Sequence, residues 1–166
     1  MNSGTDARAG QEYLATLERL LARAAADEWA HIRSAAELLA EAIGSGHTLH
    51  VFGSGHSHLL AEELYYRAGG LVGVKPILFE GLMLHASAEL STVLERLPGL
   101  AAAILRDHPI GAGDVVIVAS NSGGNAVVTE LVDLVHEAGS AFTAVTSLLH
   151  AKADAARHGS VGRLHD

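Results

Sequence analysis

The strongest constraint on the fold of this chain is the segment Asp114–Ala119, in which an unbroken apolar, mostly β-branched run follows Asp114. A strand without a polar face must be covered on both sides, which is typical of inner strands in a parallel sheet. The run ends in Ser120-Asn121-Ser122-Gly123-Gly124-Asn125, and an amphipathic helical pattern follows over residues 126–138. A strand, a polar loop and a helix in this order predict one unit of an α/β fold.

Three further apolar runs have the length of strands, and each is followed by a loop and helical sequence. They are Thr48–Phe52, Val74–Phe79 and Ala141–Val145. Helical patterns occupy residues 58–68 and 83–106, the second interrupted at Pro98-Gly99, and a weaker one follows Ser147. Parallel strands joined by right-handed crossovers place helices on both faces of one sheet. We therefore predict a three-layer αβα sandwich with a parallel sheet and an N-terminal helical extension.

The N-terminal extension contains no strand-like run. Residues 11–43 show helical periodicity, which predicts two helices or one bent helix. Two apolar stripes lie on it, formed by Tyr13, Leu14, Leu17, Leu20, Leu21, Trp29, Ile32, Ala36, Leu39 and Ile43. Each stripe must pack on the later domain or on another subunit, and we expect a homodimer or tetramer. We expect residues 1–10 to be disordered and residues 11–166 to form a single domain.

The composition disfavours several classes of function. Nineteen acidic residues against eleven Lys and Arg give a formal net charge of −8, which argues against binding to nucleic acid or anionic lipid. The chain has no cysteine, which excludes disulfides and thiolate zinc sites. We find neither a signal peptide nor an apolar run of the roughly 20 residues that a membrane span needs. We therefore expect a cytoplasmic protein.

Small hydroxyl, amide and glycine residues follow three of the four predicted strands. These loops are Gly53-Ser54-Gly55-His56-Ser57, Ser120–Asn125 and Thr146-Ser147. Ligands of open α/β sheets bind at the carboxyl ends of the strands, where the N–H groups of the following helices point. Glycine lets the backbone approach a phosphate, while Ser, Thr and Asn supply neutral donors. Turn formation explains any one such loop, but three on successive strand ends predict a phosphate site.

A dinucleotide-binding fingerprint is the alternative interpretation of the first loop. Gly53 and Gly55 match its first two glycines, but His58 stands where the third is expected. Such a site would also leave the second loop without a role. We therefore favour a smaller phosphorylated ligand.

The same loops carry a resemblance to a known family. The strand that ends in Gly53–Ser57, followed later by Gly113–Gly123, is similar to the sugar isomerase (SIS) domain, which has a flavodoxin-like sheet. The likeness extends over nearly the whole chain and is greatest to the branch of phosphoheptose isomerase and N-acetylmuramic acid 6-phosphate etherase. Within that branch it indicates an uncharacterised group with Gly81-Leu82-Met83-Leu84-His85 and Arg157-His158 motifs.

The resemblance implies a phosphosugar bound at a subunit interface, with Ser57, Ser120 and Ser122 on the phosphate. The full set of expected binding residues is Gly53, Ser54, Gly55, Ser57, Ser120, Asn121, Ser122, Gly123, Asn125 and Ser147. Two features depart from the family. Asn125 stands where Thr is usual, and related chains continue through another strand after the segment that matches residues 162–166. Either this sequence is truncated, or the last strand is absent.

Aldose–ketose isomerisation through an enediol needs a base that moves a proton between adjacent carbons. The carboxylates near the predicted strand ends are Glu62, Glu63, Glu89 and Glu95. By resemblance, Glu95 lies in the region where the etherase branch keeps an acidic pair. Glu63 precedes Arg67 by one turn, and a close cation makes a carboxylate a weaker base. We predict Glu95 as the base with His85 as its helper, and Glu63 as the alternative.

A metal site is considered because phosphoheptose isomerase, which this chain resembles, has one. That site includes a His and a Glu one turn apart on the helix after its first loop. Those positions fall on Glu63 and Arg67 here, so that metal site does not carry over intact. A different site would draw on the loop histidines His56, His58, His85, His150 and His158, with His58 and Glu62 on one helix face. We predict no metal or other cofactor, with a divalent metal as the alternative.

Two functions are consistent with this sequence. The first is an aldose–ketose sugar-phosphate isomerase, or a related lyase, that abstracts a proton next to a carbonyl. The second is a catalytically silent phosphosugar-binding module that acts as a sensor or regulator. The same phosphate loops serve both, and only a positioned base separates them.

Overall fold

The computed structural model describes residues 3–153 and 164–165. Its described part forms two compact units, one that ends at Leu38 and one that begins at Leu39. The helices and strands are α1 (Ser3–Asp27), α2 (Trp29–Gly44), β1 (Leu49–Gly53), α3 (His58–Leu64), β2 (Val74–Ile77), α4 (Ala88–Leu94), α5 (Leu100–Asp107), β3 (Val115–Ala119), α6 (Ala126–Glu137), β4 (Ala141–Val145) and α7 (Leu148–Ala153). Short 3₁₀ turns occupy Gly55–Ser57 and Glu80–Leu82.

The N-terminal unit consists of α1 and the first part of α2. The two helices are separated at Glu28, which corresponds to the two-helix alternative. Helix α1 begins at Ser3, within the segment 1–10 for which we expected no order. The large apolar side chains of this unit are exposed, namely Tyr13, Leu14, Leu17, Leu20, Leu21, Trp29 and Ile32. The single domain over residues 11–166 stays a prediction.

The second unit is built on a four-stranded sheet in the order β2-β1-β3-β4, with all neighbours parallel. The four predicted strands are therefore confirmed, although β2 ends at Ile77 rather than Phe79. The carboxyl ends of the inner strands are level, because Gly53 pairs with Ala119 and Ala119 with Val145. The three polar loops consequently start side by side at one edge of the sheet.

The direction in which the chain crosses the sheet reverses between β1 and β3. From β1 it passes through α3 to β2 on one side, whereas β3 leads through α6 to β4 on the other. Right-handed crossovers then place α3 on one face and α6, which packs with α5, on the opposite face. This is the predicted three-layer αβα arrangement. Where the strand order reverses, the two following loops diverge and leave a crevice at the carboxyl ends of β1 and β3.

Strands β1 and β3 are buried along their whole length, as the apolar pattern of β3 predicts. Each fully buried Val, Leu or Phe side chain contributes roughly 1.5–3 kcal/mol from transfer out of water. The core cluster against α5 and α6 consists of Phe52, Ile77, Leu82, Ala101, Ile104, Val116, Val118, Val127, Val128, Leu131, Val135 and Leu164. This packing fixes the two strands that carry the phosphate loops.

A polar pair is buried at the amino end of the sheet. His50 in β1 is only 2% exposed, and its Nε2 donates to Oδ2 of Asp114 at 3.3 Å. Asp114 also accepts the backbone N–H groups of Thr48 at 2.8 Å and Gly111 at 2.9 Å. Burial lowers the pKa of His50 below its ordinary value. Burial acts to raise the pKa of Asp114, but hydrogen bonds from Gly111, Thr48 and His50 outweigh it and hold that pKa low.

We expect the free energy of unfolding to fall as the pH is lowered from about 7.5 to about 5.5, because unfolded His50, with an ordinary pKa of about 6.5, takes up a proton that the folded protein does not. Asp114 acts in the same direction below roughly pH 4, where its carboxylate is protonated first in the unfolded chain. His50→Gln should flatten the loss of thermal stability over the first range, whereas His31→Gln, on an exposed helix surface, should not. Equal slopes for the parent and His50→Gln would contradict this assignment.

Candidate functional site

The second and third polar loops are joined by their backbones at the carboxyl edge of the sheet. The N–H of Ser120 donates to the carbonyl of Val145 at 3.0 Å, which extends the ladder between β3 and β4 by one bond. The carbonyl of Asn121 accepts the N–H of Ser147 at 3.2 Å and the hydroxyl of Thr146 at 3.3 Å. The two loops therefore form one continuous surface.

The shape of the loop over residues 120–125 depends on Gly123. Its N–H donates to the buried Ser120 hydroxyl at 3.1 Å, and its φ of 64° lies in the left-handed region that favours glycine. A Cβ at this position would lie 2.8 Å from the Cβ of Leu164, whose N–H donates to the Gly123 carbonyl at 3.0 Å. Leu164 thus packs against Gly123 and stabilises the loop. No feature of the sequence indicates this contact.

Several backbone donors of this loop are left for a ligand. The N–H groups of Asn121, Ser122, Gly124, Asn125 and Ala126 find no acceptor among the described residues. They precede or begin α6, a helix of twelve residues whose positive dipole end lies here. Free N–H groups at the start of a helix are the usual environment of a bound phosphate. The loop therefore has the donor arrangement of an anion site.

The loop after β1 is held close to the start of α3. A Cβ on Gly53 would lie 2.4 Å from the Ser57 carbonyl oxygen, so only glycine allows the chain to turn back this tightly. The N–H of Ser57 donates to the carbonyl of Ser54 at 3.0 Å, and Gly55 has a φ of 55°. Two of the predicted glycines are thus required by the backbone geometry itself.

Glu95, at the end of α4, contacts the first loop and the first turn of α6. Its Oε2 accepts the hydroxyl of Ser54 at 3.4 Å, and its backbone carbonyl accepts the N–H of Val127 at 3.2 Å, in the first turn of α6. The side chain is partly buried. The structure therefore brings the predicted base to the crevice between the first and second loops.

The predicted phosphate-binding side chains divide into two groups. Ser54, Ser120 and Ser147 make hydrogen bonds within the protein, to Glu95, Gly123 and the N–H of His150 respectively. The remaining side chains with polar groups have no protein partner in the described part of the chain, and they are Ser57, Asn121, Ser122 and Asn125. The second group has its donors available to a ligand.

The other two predicted catalytic residues lie in different surroundings. Glu63 is paired with Arg67, and its side chain is 67% exposed. His85 lies with its ring 5.0 Å from that of His58, and its Nε2 lies 3.9 Å from Oε1 of Glu62. Although Glu62 and Glu63 are adjacent in the sequence, their side chains have different neighbours: Glu62 lies near His85, whereas Glu63 pairs with Arg67.

His85 is positioned by the turn that follows β2. A Cβ on Gly81 would lie 2.7 Å from the Phe79 ring and 2.8 Å from the Leu94 side chain, so the turn packs against α4 only with glycine. The carbonyl of buried Leu82 accepts the Ser91 hydroxyl at 2.9 Å. These contacts fix the turn of the Gly81–His85 motif, which positions the His85 ring beside His58.

His58, Glu62 and His85 are the one group of three metal-ligating side chains in the described residues. Their ligand atoms all lie within 4.8 Å of one another. His56 and His150, which we also considered, are exposed and lie outside this group. His158 and the rest of the Arg157-His158 motif lie outside the described residues. The sequence showed the i, i+4 pair His58 and Glu62 and the motif residue His85. It did not show that these three side chains lie close together.

None of the described helices has an apolar stretch long enough to cross a bilayer.

The chain is similar in sequence to UPF0309 proteins of several bacteria. The chain is 40% identical over 154 residues to a UPF0309 protein of Listeria innocua and 43% identical over 154 residues to one of Halalkalibacterium halodurans, covering 93% of this chain and 62% of the relative in both cases. A UPF0309 protein of Geobacillus kaustophilus is 45% identical over 134 residues, covering 81% of this chain and 53% of the relative. The chain thus spans less than two thirds of the length of these relatives.

The fold is also found in a solved structure. Phosphoheptose isomerase from Neisseria gonorrhoeae superposes with a TM-score of 0.66 at 20% sequence identity, covering 89% of this chain and 78% of the isomerase. At this identity the likeness concerns the fold alone. The sequence matches the SIS domain over residues 12–147, from α1 to the loop after β4. The resemblance seen in the sequence is therefore confirmed, and the chain belongs to the SIS domain family, a phosphosugar-binding superfamily.

Proposed function

We propose that this domain binds a phosphorylated sugar, with the phosphate in the loop over residues 120–125 and the sugar directed toward the crevice beside Gly53–Ser57. The observation that carries the proposal is the set of five backbone N–H groups, in the loop before α6 and at its first residue, that have no acceptor among the described residues. Membership of a phosphosugar-binding superfamily supports the same ligand class.

Neutral donors suit a phosphate in a protein of this charge. Backbone N–H groups and hydroxyls stabilise the dianion through fixed dipoles, so the net charge of −8 does not oppose local binding. Ser122 and Ser57 add hydroxyl donors without protein partners in the described structure. The ligand class that matches such a donor set is a compact phosphomonoester rather than an extended polyanion.

A thermal-shift screen with a panel of sugar phosphates tests this proposal. A ligand present at about 100 times its dissociation constant should raise the free energy of unfolding by about 2.7 kcal/mol. The matching unphosphorylated sugars should have little effect, because they lack the group that the loop binds. If no member of a broad sugar-phosphate panel stabilises the protein, the proposed ligand class is wrong.

Ser122→Ala should weaken binding of the best sugar phosphate by roughly 1.5–3 kcal/mol, because it removes one hydroxyl donor to a charged ligand. Isothermal titration calorimetry measures the loss. Ser45→Ala, on the exposed loop that precedes β1 at the opposite edge of the sheet, is the matched control and should bind like the parent. Unchanged affinity in Ser122→Ala would mean that the phosphate lies elsewhere.

We further propose that the domain is an aldose–ketose isomerase in which Glu95 is the base. Its carboxylate takes a proton from the hydroxyl-bearing carbon next to the sugar carbonyl, and the bonding pair forms an enediolate. The proton returns to the former carbonyl carbon, while the hydroxyl proton of the first carbon passes to the oxygen of the former carbonyl. The contact with Ser54 and the backbone bond to α6 support this role, because they hold Glu95 next to both loops. Glu63 remains the alternative base, and its pairing with Arg67 counts against it.

Glu95→Gln should abolish turnover of an identified sugar phosphate while leaving its affinity within about tenfold, because a general base acts mainly in the transition state. Glu63→Gln is the matched control and should stay active. A coupled isomerisation assay and calorimetry on the same preparations separate the two effects. If Glu63→Gln is inactive and Glu95→Gln active, the base lies on α3. If no bound sugar phosphate is ever turned over, the silent binding module is the better account.

Self-association completes the proposal. The apolar side chains of the N-terminal helices are exposed by 65% at Tyr13, 71% at Leu21 and 62% at Trp29, more than is usual for a monomer. We expect light scattering to report a dimer or tetramer at micromolar concentration. The double variant Leu17→Glu/Leu21→Glu should shift it toward monomer, whereas Glu18→Gln in the same helix should not. A monomeric parent protein would contradict the expectation.

A further inference from the structure

We propose that His58, Glu62 and His85 bind a divalent transition-metal ion such as Zn²⁺ beside the carboxyl ends of β1 and β2. His58 is only 3% exposed although its side chain is polar. Its Nδ1 contacts the backbone carbonyl of Gly55. A carbonyl oxygen only accepts, so Nδ1 carries the ring proton and donates it there.

The other ring nitrogen of His58 faces a second acceptor. Its Nε2 lies 3.3 Å from Oε1 of Glu62, yet it is buried and has no hydrogen-bond partner among the described residues. With Nδ1 protonated, neutral His58 presents a lone pair at Nε2 to a carboxylate oxygen. Two acceptors at this distance repel each other unless a cation or a proton lies between them.

Two observations favour a metal ion over a shared proton. The geometry between Nε2 and Oε1 does not satisfy a hydrogen bond, although the two atoms are close enough for one. In addition, His85 brings a third ligand atom, since its Nε2 lies 3.9 Å from the same carboxylate oxygen. A shared proton would bridge only His58 and Glu62, whereas a metal ion would be coordinated by His58, Glu62 and His85.

The distances agree with zinc coordination. Ligand bonds of about 2.0–2.1 Å at a tetrahedral angle separate neighbouring ligand atoms by about 3.3 Å, which is the spacing observed between His58 and Glu62. A small movement of exposed His85 completes the set. The Gly55 carbonyl already supplies the second-shell hydrogen bond that usually orients a ligating histidine.

Two histidines and one glutamate form the ligand set of catalytic rather than structural zinc, with the fourth position open. An ion bound here would present that position at the edge of the sheet where the loops after β1 and β2 begin, and would polarise a sugar oxygen. That use rests on the proposed function, whereas the binding of the ion does not. The site uses other residues than Glu63 and Arg67, on which the sequence resemblance placed the metal-binding positions of phosphoheptose isomerase.

The test uses the whole protein after treatment with a chelator, titrated with Zn²⁺ or Co²⁺ alone and with no sugar phosphate present. Calorimetry should report one ion per chain, and bound Co²⁺ should show the visible absorption of a low-coordinate nitrogen and oxygen site. Glu62→Gln and His85→Ala should each raise the dissociation constant at least about tenfold. Both side chains are exposed, so neither substitution removes core packing.

Matched controls separate this site from adventitious binding by other histidines. Glu63→Gln alters the next residue of the same helix, and His56→Ala removes an exposed imidazole of the preceding loop. Both should bind the ion like the parent. The proposal is overturned if the parent binds no ion, or if Glu62→Gln and His85→Ala bind as tightly as the controls. Because no sugar phosphate is used, either result leaves the proposed function untouched.

Discussion

The parallel pairing of β1 with β3 is the constraint on which the rest of the structure depends. The two strands are buried along their length and end level, at Gly53 and Ala119. Because the chain crosses the sheet in opposite directions after them, their loops part and leave a crevice. The backbone donors before α6 and the carboxylate of Glu95 both lie there. A change in the register of this one pair would move every element of the candidate site.

The site is built more from backbone than from charge. Gly53 and Gly123 are required because a Cβ at either position would meet another backbone or side-chain atom at 2.8 Å or less. These close approaches restrict the conformation of each loop. The backbone N–H groups of the loops are therefore held in one arrangement. Fixed dipoles of this kind can stabilise an anion without a full positive charge, which accords with an acidic chain.

Polar groups are distributed unequally between the two ends of the sheet. At the amino end, Nε2 of His50 donates to Asp114, which also accepts two backbone N–H groups, while Nδ1 of His50 is buried without a hydrogen-bond partner in the described part of the chain. At the carboxyl end, His58 is equally buried, and its unpaired Nε2 lies beside Glu62, whose carboxylate is also close to His85. The same residue type is therefore a hydrogen-bonding partner of a carboxylate in one place and a potential metal ligand in the other, because only His58 belongs to a group of three ligating side chains in the described residues.

The sequence by itself determined the strands, their parallel arrangement and the loops that follow them, because apolar runs, glycines and helical periodicity are local properties of the chain. It also singled out Glu95 and the Gly81–His85 motif through the family resemblance. Only the tertiary structure decided which side chains meet. Leu164 against Gly123, Glu95 against Ser54, and His85 against the His58–Glu62 pair are contacts between segments far apart in the sequence. No spacing encodes them, since each depends on the strand order and on which face of the sheet a helix covers.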